Sequence, residues 1–239
     1  MKKNILLIAA LALLTLGFTS CEKKSAGLTS TTYYADIQLE GDDYMIIAKG
    51  STFTDPGFSA TMAGKDVTAE VAVMSDVDTS KSGVYYVNYS MVNADGFPAS
   101  VTRTVVVLDP NDAVEGFWVC DPESYRTNAN TGAAVAYGDA FEILILNNGD
   151  GTYDVDDMLA GWYCQRAGYG ESYAMRGIIT IDDAGNISLE KSYVPGWQDG
   201  ADKLENGKYD AAAQTISYDL TYAGYLIFTV SLSKEEVEL

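Results

Sequence analysis

The densest chemistry in the sequence lies in Gly161-Trp162-Tyr163-Cys164-Gln165-Arg166-Ala167-Gly168-Tyr169-Gly170-Glu171-Ser172-Tyr173, with Tyr193 and Trp197 further on. Flat aromatic faces stack against the C–H surfaces of sugars, while Arg, Gln and carboxylate groups hold the hydroxyls, and this stretch carries both kinds of group. Its glycines would leave such rings accessible at a loop. The candidate ligand-binding residues are therefore Trp162, Tyr163, Arg166, Tyr169, Tyr173, Tyr193 and Trp197. The competing reading is packing, because small β-barrels fill their interiors with aromatics. If Gly161 to Arg166 is a strand, Trp162 and Cys164 face opposite Tyr163 and Gln165, so at least one ring belongs to a core. Trp197, in Val194-Pro195-Gly196-Trp197-Gln198-Asp199-Gly200, is the ring expected at the surface.

Other chemistries find little support. The chain has no histidine, which removes Ser-His-Asp and Cys-His nucleophiles, the histidine general base and every imidazole zinc site. Ser188-Leu189-Glu190-Lys191 and Ser231-Leu232-Ser233-Lys234 match Ser-x-x-Lys, but that chemistry needs both groups on one helical face, and these stretches read as strands. The acid pairs Asp156-Asp157 and Asp182-Asp183 cannot specify a glycosidase separation in a chain of 34 acidic residues. Asn147 to Asp157 is rich in oxygen ligands, yet it lacks the glycine and terminal glutamate of the helix-loop-helix calcium loop and reads as a hairpin turn. Asp55 and Asp78 read as turn caps. No catalytic residue, metal or cofactor is assigned, and the protein is expected not to be an enzyme.

These side chains must be carried by an exported chain. Lys2 and Lys3 precede an apolar run, Ile5 to Leu16, too short to span a membrane. Leu16-Gly17-Phe18-Thr19-Ser20-Cys21 then reads as the cleavage and acylation site of a bacterial lipoprotein. On this reading residues 1–20 leave as a signal peptide, Cys21 becomes a lipidated terminus, and residues 21–32 form a polar tether. The remainder carries 13 basic against 34 acidic residues, a formal charge of −21. Such a surface repels nucleic acid. Cys120 and Cys164 are then the remaining thiols, and export permits a bridge. That bridge would close about 45 residues and contribute roughly 4 kcal/mol, while two buried free thiols is the reading left open beside it.

Residues 33–109 show short strand-like runs at Tyr34 to Leu39, Tyr44 to Ile47, Val67 to Val73, Gly83 to Ser90 and Ala99 to Leu108, with Lys49 to Phe58 as a loop. Tyr85, Val87 and Tyr89 alternate on one face, and the turn spacing suits a sandwich. Thr52-Phe53-Thr54-Asp55-Pro56-Gly57, Val77 to Tyr85 and Thr102-Arg103-Thr104-Val105-Val106-Val107 together resemble the small immunoglobulin-like domain repeated in bacterial surface proteins. The resemblance implies a spacer or stalk.

Asp109-Pro110-Asn111-Asp112 reads as the joint, since proline cannot continue a central ladder. Residues 110–239 then give strand after strand: Phe117 to Cys120, Phe141 to Asn147, Thr152 to Val155, Gly161 to Arg166 and Tyr173 to Ile181. Asn186 to Glu190, Gly207 to Tyr209, Thr215 to Thr221 and Tyr225 to Leu232 complete them. Asn148-Gly149-Asp150-Gly151 and Asp183-Ala184-Gly185-Asn186 read as hairpin turns. A closed or nearly closed antiparallel barrel accommodates such a set best, with a second sandwich as the alternative. Gly116-Phe117-Trp118, Tyr153 to Tyr163 and Gly207 to Tyr218 resemble the lipocalin-like C-terminal domain of cell-surface lipoproteins from glycan-foraging Gram-negative bacteria. The expectation is an all-β, lipid-anchored protein of the outer membrane, facing the cell surface or the periplasm, encoded in a polysaccharide-utilisation locus. It would bind polysaccharide or oligosaccharide without catalysis, beside outer-membrane uptake partners. The alternative is a structural or adhesive protein that contacts another protein.

Overall fold

The computed structural model describes residues 31–238; the expected signal peptide, Cys21 and most of the tether lie outside them. The protein is all-β. Strands β1 (Asp36–Leu39), β3 (Phe58–Met62) and β4 (Lys65–Asp66) form one small sheet. Strands β2 (Tyr44–Ala48), β7 (Pro98–Leu108), β6 (Gly83–Val92) and β5 (Ala72–Ser75) form a second, in that order, with β2 parallel to β7. The two sheets enclose an immunoglobulin-like core of Ala60, Val67 and Met91, joined by Val87, Tyr89 and Val105. The sequence reading ends a loop at Phe58 and leaves β3 out, because the alternation of Phe58, Ala60 and Met62 with Ser59 and Thr61 runs for only five residues.

Arg103, a residue of the motif that carries the immunoglobulin resemblance, is fully buried in this sandwich. It donates to the carbonyls of Glu40 (2.8 Å), Gly57 (2.9 Å) and Asp42, and its Nε sits 3.4 Å from Asp55 Oδ1. Tyr89 Oη donates to the other Asp55 oxygen at 2.6 Å. Asp55 also accepts the Gly57 N–H, so its carboxylate caps a turn and neutralises a buried guanidinium.

The run Val105-Val106-Val107-Leu108 has no polar alternation because β7 is covered on both faces. Val105 and Val107 face the sandwich core, whereas Val106 and Leu108 meet Phe117 and Leu144 of the second domain. Ile46, Val84 and Leu146 extend this seam. The joint is polar and tightly bonded: Glu115, buried, accepts the N–H groups of Asp109 (2.6 Å) and Asn147 (3.0 Å) through its two oxygens. Asp112 caps Val114 and Glu115. Apolar seam and bonded joint together fix one domain on the other.

The second domain is a single ten-stranded antiparallel sheet that curls into a half-barrel. β8 (Gly116–Cys120) pairs with β11 (Glu142–Asn147), and β12 (Thr152–Val155), β13 (Arg176–Ile181) and β14 (Ile187–Tyr193) follow. On the other side, β17 (Leu226–Lys234) pairs with β8 and with β16 (Thr215–Tyr222), which pairs with β15 (Lys203–Asp210). β14 and β15 approach one another through a bridge between Asn186 and Lys208 and the Tyr209 N–H to Gly185 carbonyl bond of 2.7 Å. The expected hairpin turns join β11 to β12 and β13 to β14. Alternation divides the strands: Trp118, Ile143, Ile145 and Val155 point inward, whereas Phe117, Glu142, Leu144 and Asp154 point outward. Trp118, Tyr137, Tyr218, Phe228 and their aliphatic neighbours fill the inside, so the curled sheet encloses a packed core.

Beyond β3, elements of both domains differ from the sequence reading. Val67 to Val73, expected as one strand, holds a 3₁₀ turn at Thr68–Glu70 before β5 begins at Ala72. In the second domain, the hairpin of β9 (Tyr125–Asn128) and β10 (Ala133–Ala136) is absent from that reading, because the alanine-rich β10 is exposed along its length and shows no burial pattern. Gly161 to Arg166 is a reversal followed by one π-helical turn, Trp162–Arg166, and no strand. The cause is Asp157, a buried carboxylate that accepts N–H bonds from Leu159, Gly161 and Met175, all at 2.9 Å. These bonds gather the chain into a compact turn, with Ala160 at φ +48° and Gly161 at φ +84°.

Candidate functional site

The π-helical turn, the single 3₁₀ turn Glu171–Tyr173 and the tight turn after β14 come together at one end of the half-barrel. Within the last of these, Val194 bonds to Asp199, and Gln198 adopts φ +58°, which lifts Trp197 onto the tip. Gly196 makes this possible, since a Cβ there would lie 2.6 Å from the Tyr173 ring. The Trp197 ring is edge-on to Tyr163 (4.7 Å between centroids) and to Tyr173 (4.9 Å), and lies against Tyr222 at 6.1 Å. Tyr169 stacks on Tyr163 at 6.1 Å and meets Tyr173 at 5.5 Å. Four of the residues singled out by sequence, Tyr163, Tyr169, Tyr173 and Trp197, therefore form one continuous aromatic surface. Tyr169 is 56% exposed and Trp197 37%.

Three of the candidates have other places. Trp162 is 3% exposed and belongs to the core, packed edge-on against Tyr137 and Phe228. It supports the surface from beneath, and no ligand reaches its faces, which carry the guanidinium groups of Arg126 at 4.7 Å and Arg166 at 4.3 Å. Arg166 is fixed by its Nε bond to the Tyr137 carbonyl (2.8 Å) and is otherwise exposed. Tyr193 lies apart from the cluster, on the outer face of β14 beside the first domain. The partition of burial expected for a strand survives in the helical turn: Trp162 and Cys164 are buried, Tyr163 is half-buried and Gln165 is exposed.

Cys120 and Cys164 are both free and buried, which corrects the disulfide reading. Cys164 donates its S–H to Asp157 Oδ2 at 3.1 Å, while Cys120 turns to the carbonyl of Asp121 at 3.6 Å. Burial pushes the Cys120 thiol up to about 11 and the Cys164 thiol higher still. Burial also raises the Asp157 carboxyl, against the pull of its N–H donors.

Sequence patterning misses several residues of the site. Tyr222 closes one side of the cluster, and its hydroxyl donates to both Asp199 oxygens at 2.9 and 3.0 Å. Burial and that carboxylate raise the Tyr222 pKa. Arg126 arrives from the β9–β10 hairpin and opposes the rise that burial imposes on Tyr163. The adjacency of Asp199 to Trp197 in sequence was a usable signal; Arg126 and Tyr222 are distant in sequence and offered none.

A second concavity, of about 690 Å³, opens between the domains beyond the apolar seam. Tyr44 and Tyr86 line it from the outer face of the immunoglobulin-like sheet, and Glu142, Asp156, Arg176 and Tyr193 from the half-barrel. Burial is the main cause that holds Asp156 at about 7, with the neighbouring Asp157 adding to it, against the Leu144 N–H and Arg176. Burial likewise raises Glu142, and pushes Tyr44 up to about 12. Among the described residues, no group of acids, cysteines or histidines is arranged to hold a metal ion.

Comparison with known proteins bears on the whole chain. Residues 107–234 match the model of the BT2262-like C-terminal domain, and residues 37–107 match that of the bacterial surface protein Ig-like domain. No curated protein matches. Among solved structures, the lipoprotein BT2262 from Bacteroides thetaiotaomicron is 35% identical, with a TM-score of 0.71, over 84% of this chain and 100% of that one. The CBM51-2 and INT domains of Clostridium perfringens ZmpB, solved with GlcNAc, align over 84% of this chain and 43% of theirs at 13% identity and a TM-score of 0.26. The M60 catalytic domain of ZmpB with its CBM51-1 and CBM51-2 domains gives 12% identity and a TM-score of 0.27, over 84% of this chain and 21% of that one. These two scores are too low to indicate a shared fold, and nothing rests on them. The match over the second domain and the identity to BT2262 over its full length place the chain: it belongs to the BT2262-like family.

Proposed function

We propose that this protein is a lipid-anchored cell-surface binding protein whose second domain holds a saccharide, without catalysis, on the aromatic surface formed by Tyr163, Tyr169, Tyr173 and Trp197. The observation that carries the reading is the convergence of these rings from three separate turns, with Tyr169 and Trp197 open to solvent. A planar group anchored on four sides costs little conformational entropy when a sugar face stacks on it. Arg166, exposed and held over Trp162 beneath the rings by its bond to the Tyr137 carbonyl, offers a donor from the same turn that carries Tyr163. The anchor would be the lipid on Cys21 and the setting the outer membrane, with the protein serving as an accessory of polysaccharide uptake beside its transport partners. The lipoprotein character of BT2262 supports the anchored part of this reading.

The test is an oligosaccharide and polysaccharide array probed with soluble Glu22 to Leu239, wild type and Trp197→Ala. Trp197 is partly exposed yet packed against four rings, Tyr163, Tyr169, Tyr173 and Tyr222, so its loss should cost about 2 kcal/mol of stability, below the 3–5 kcal/mol of a fully buried aromatic. The folded variant should lose every array signal. Tyr169→Ala, at a more exposed position, should weaken binding with almost no change in melting temperature. An array blank for the wild type, or signals unchanged in Trp197→Ala, would refute the proposal and favour a protein partner for this surface.

A further inference from the structure

The cleft between the domains has the construction of a second saccharide site. Its walls are two sheet faces that meet along the apolar seam and diverge beyond it. From the first domain come Tyr44 on β2 and Tyr86 on β6, which continue outward the rows of Ile46 and Val84 that form the seam. From the second comes Tyr193 on β14, opposite Arg176 on β13. These three rings are 46%, 43% and 43% exposed, so each presents part of a face to the cavity. Between them stand hydrogen-bonding side chains of both kinds. Glu142, Asp154, Asp156 and Glu171 accept; Arg176, whose guanidinium lies 3.5 Å from Glu171, and Lys191 donate. A volume of about 690 Å³ lies within the roughly 300–1,000 Å³ of small-molecule sites, which favour domain interfaces.

We propose that this cleft binds a short neutral oligosaccharide, stacked on Tyr86 and Tyr193 and held by the carboxylates and Arg176 through its hydroxyls. Neutral ligands fit because the lining mixes both signs of charge and both hydrogen-bonding senses, whereas an acidic saccharide would meet four acidic side chains, Glu142, Asp154, Asp156 and Glu171, that Arg176 and Lys191 do not balance. The site needs both domains, so the immunoglobulin-like domain is part of the binding apparatus in addition to any role as a stalk. It is separate from the ring cluster around Trp197, with which it shares none of its three tyrosines.

The test is isothermal titration of soluble Glu22 to Leu239 with a panel of neutral trisaccharides (cellotriose, maltotriose, mannotriose and xylotriose), with trigalacturonate as the acidic control. Wild type, Trp197→Ala, Tyr86→Ala, Tyr193→Ala and Tyr86→Phe are compared, each checked for folding by its melting temperature. The proposal expects a neutral trisaccharide whose binding survives Trp197→Ala, falls at least tenfold in Tyr86→Ala and Tyr193→Ala, and stays within about threefold in Tyr86→Phe, which keeps the stacking face. Trigalacturonate should not compete. Binding lost wholly in Trp197→Ala and unchanged in Tyr86→Ala and Tyr193→Ala would overturn the cleft and leave the first site standing. Loss only in the cleft variants would establish the cleft and leave the Trp197 surface to be judged by the array. A wild type that binds no neutral trisaccharide, or trigalacturonate binding more tightly than all of them, would overturn the cleft proposal outright.

Discussion

Replacing Asp156 with asparagine should make the protein more stable, and more so as the pH rises. In the folded chain Asp156 is held at about 7 against an ordinary 3.8, chiefly by burial. A raised carboxylate pKa means that the native state binds the proton more readily than the unfolded chain, so stability falls as the pH rises from 3.8 towards 7 and the penalty is complete above that. At 1.36 kcal/mol per pH unit the whole interval is worth about 4 kcal/mol. Asp156 keeps partial contact with solvent, and we expect about half of that, on the order of 2 kcal/mol. Asparagine retains an oxygen for the Leu144 N–H, which Asp156 Oδ1 accepts at 3.0 Å, while removing the charge. The variant should therefore exceed wild type by about 1 kcal/mol near pH 5.5 and about 2 kcal/mol near pH 8.5. Glu142, raised in the same direction, acts on both proteins and cancels in the difference. The chain has no histidine to obscure this window. Urea unfolding followed by tryptophan fluorescence measures it, and all three tryptophans, Trp118, Trp162 and Trp197, lie in the domain that holds Asp156. A variant less stable than wild type near pH 8.5, or a difference independent of pH, would show that the Leu144 N–H and Arg176 outweigh burial, and the reasoning would be wrong.

Arg103→Met should destabilise the first domain by about 3 kcal/mol or more, because it strands the Asp55 carboxylate and three carbonyls of the buried clamp; Arg103→Lys should recover only part of this in chemical denaturation, lacking the planar fork. Gly161→Ala should cost about 3 kcal/mol in the same assay, since Gly161 sits at φ +84° and a Cβ would lie 2.5 Å from that of Phe141; a change below about 1 kcal/mol would mean that the reversal relaxes freely. Cys120 and Cys164 should resist a thiol reagent in the native protein and both react in denaturant, and a reductant should leave the melting temperature unchanged; a reductant-sensitive melting temperature would restore the bridge.

Much of the site was legible because chemistry clusters locally in sequence. Tyr163, Tyr169 and Tyr173 stand within eleven residues of one another, and the Pro195-Gly196-Trp197 turn announces a ring at a tip. The elements that carry them were less so. A π-helical turn organised by one buried carboxylate has no periodic signature, and Asp157 looks in sequence like half of an ordinary acid pair. The cleft was invisible for a related reason: Tyr44, Tyr86 and Tyr193 lie on strands whose outward faces look like solvated positions until a second domain is laid against them.

The sequence by itself determined the all-β class and the immunoglobulin-like identity of the first domain. It also set the acidic surface and the lack of histidine chemistry, since periodicity, turn residues, motif and composition are local or summed properties. Tertiary structure alone decided that Trp162 is core while Trp197 is surface, that the two thiols stay apart, that Tyr193 leaves its expected neighbours, and that the domains lock along Val106, Leu108, Phe117 and Leu144. These outcomes depend on which faces meet across long stretches of chain. That choice is made by the burial of apolar surface summed over the whole molecule, and no window of sequence contains it.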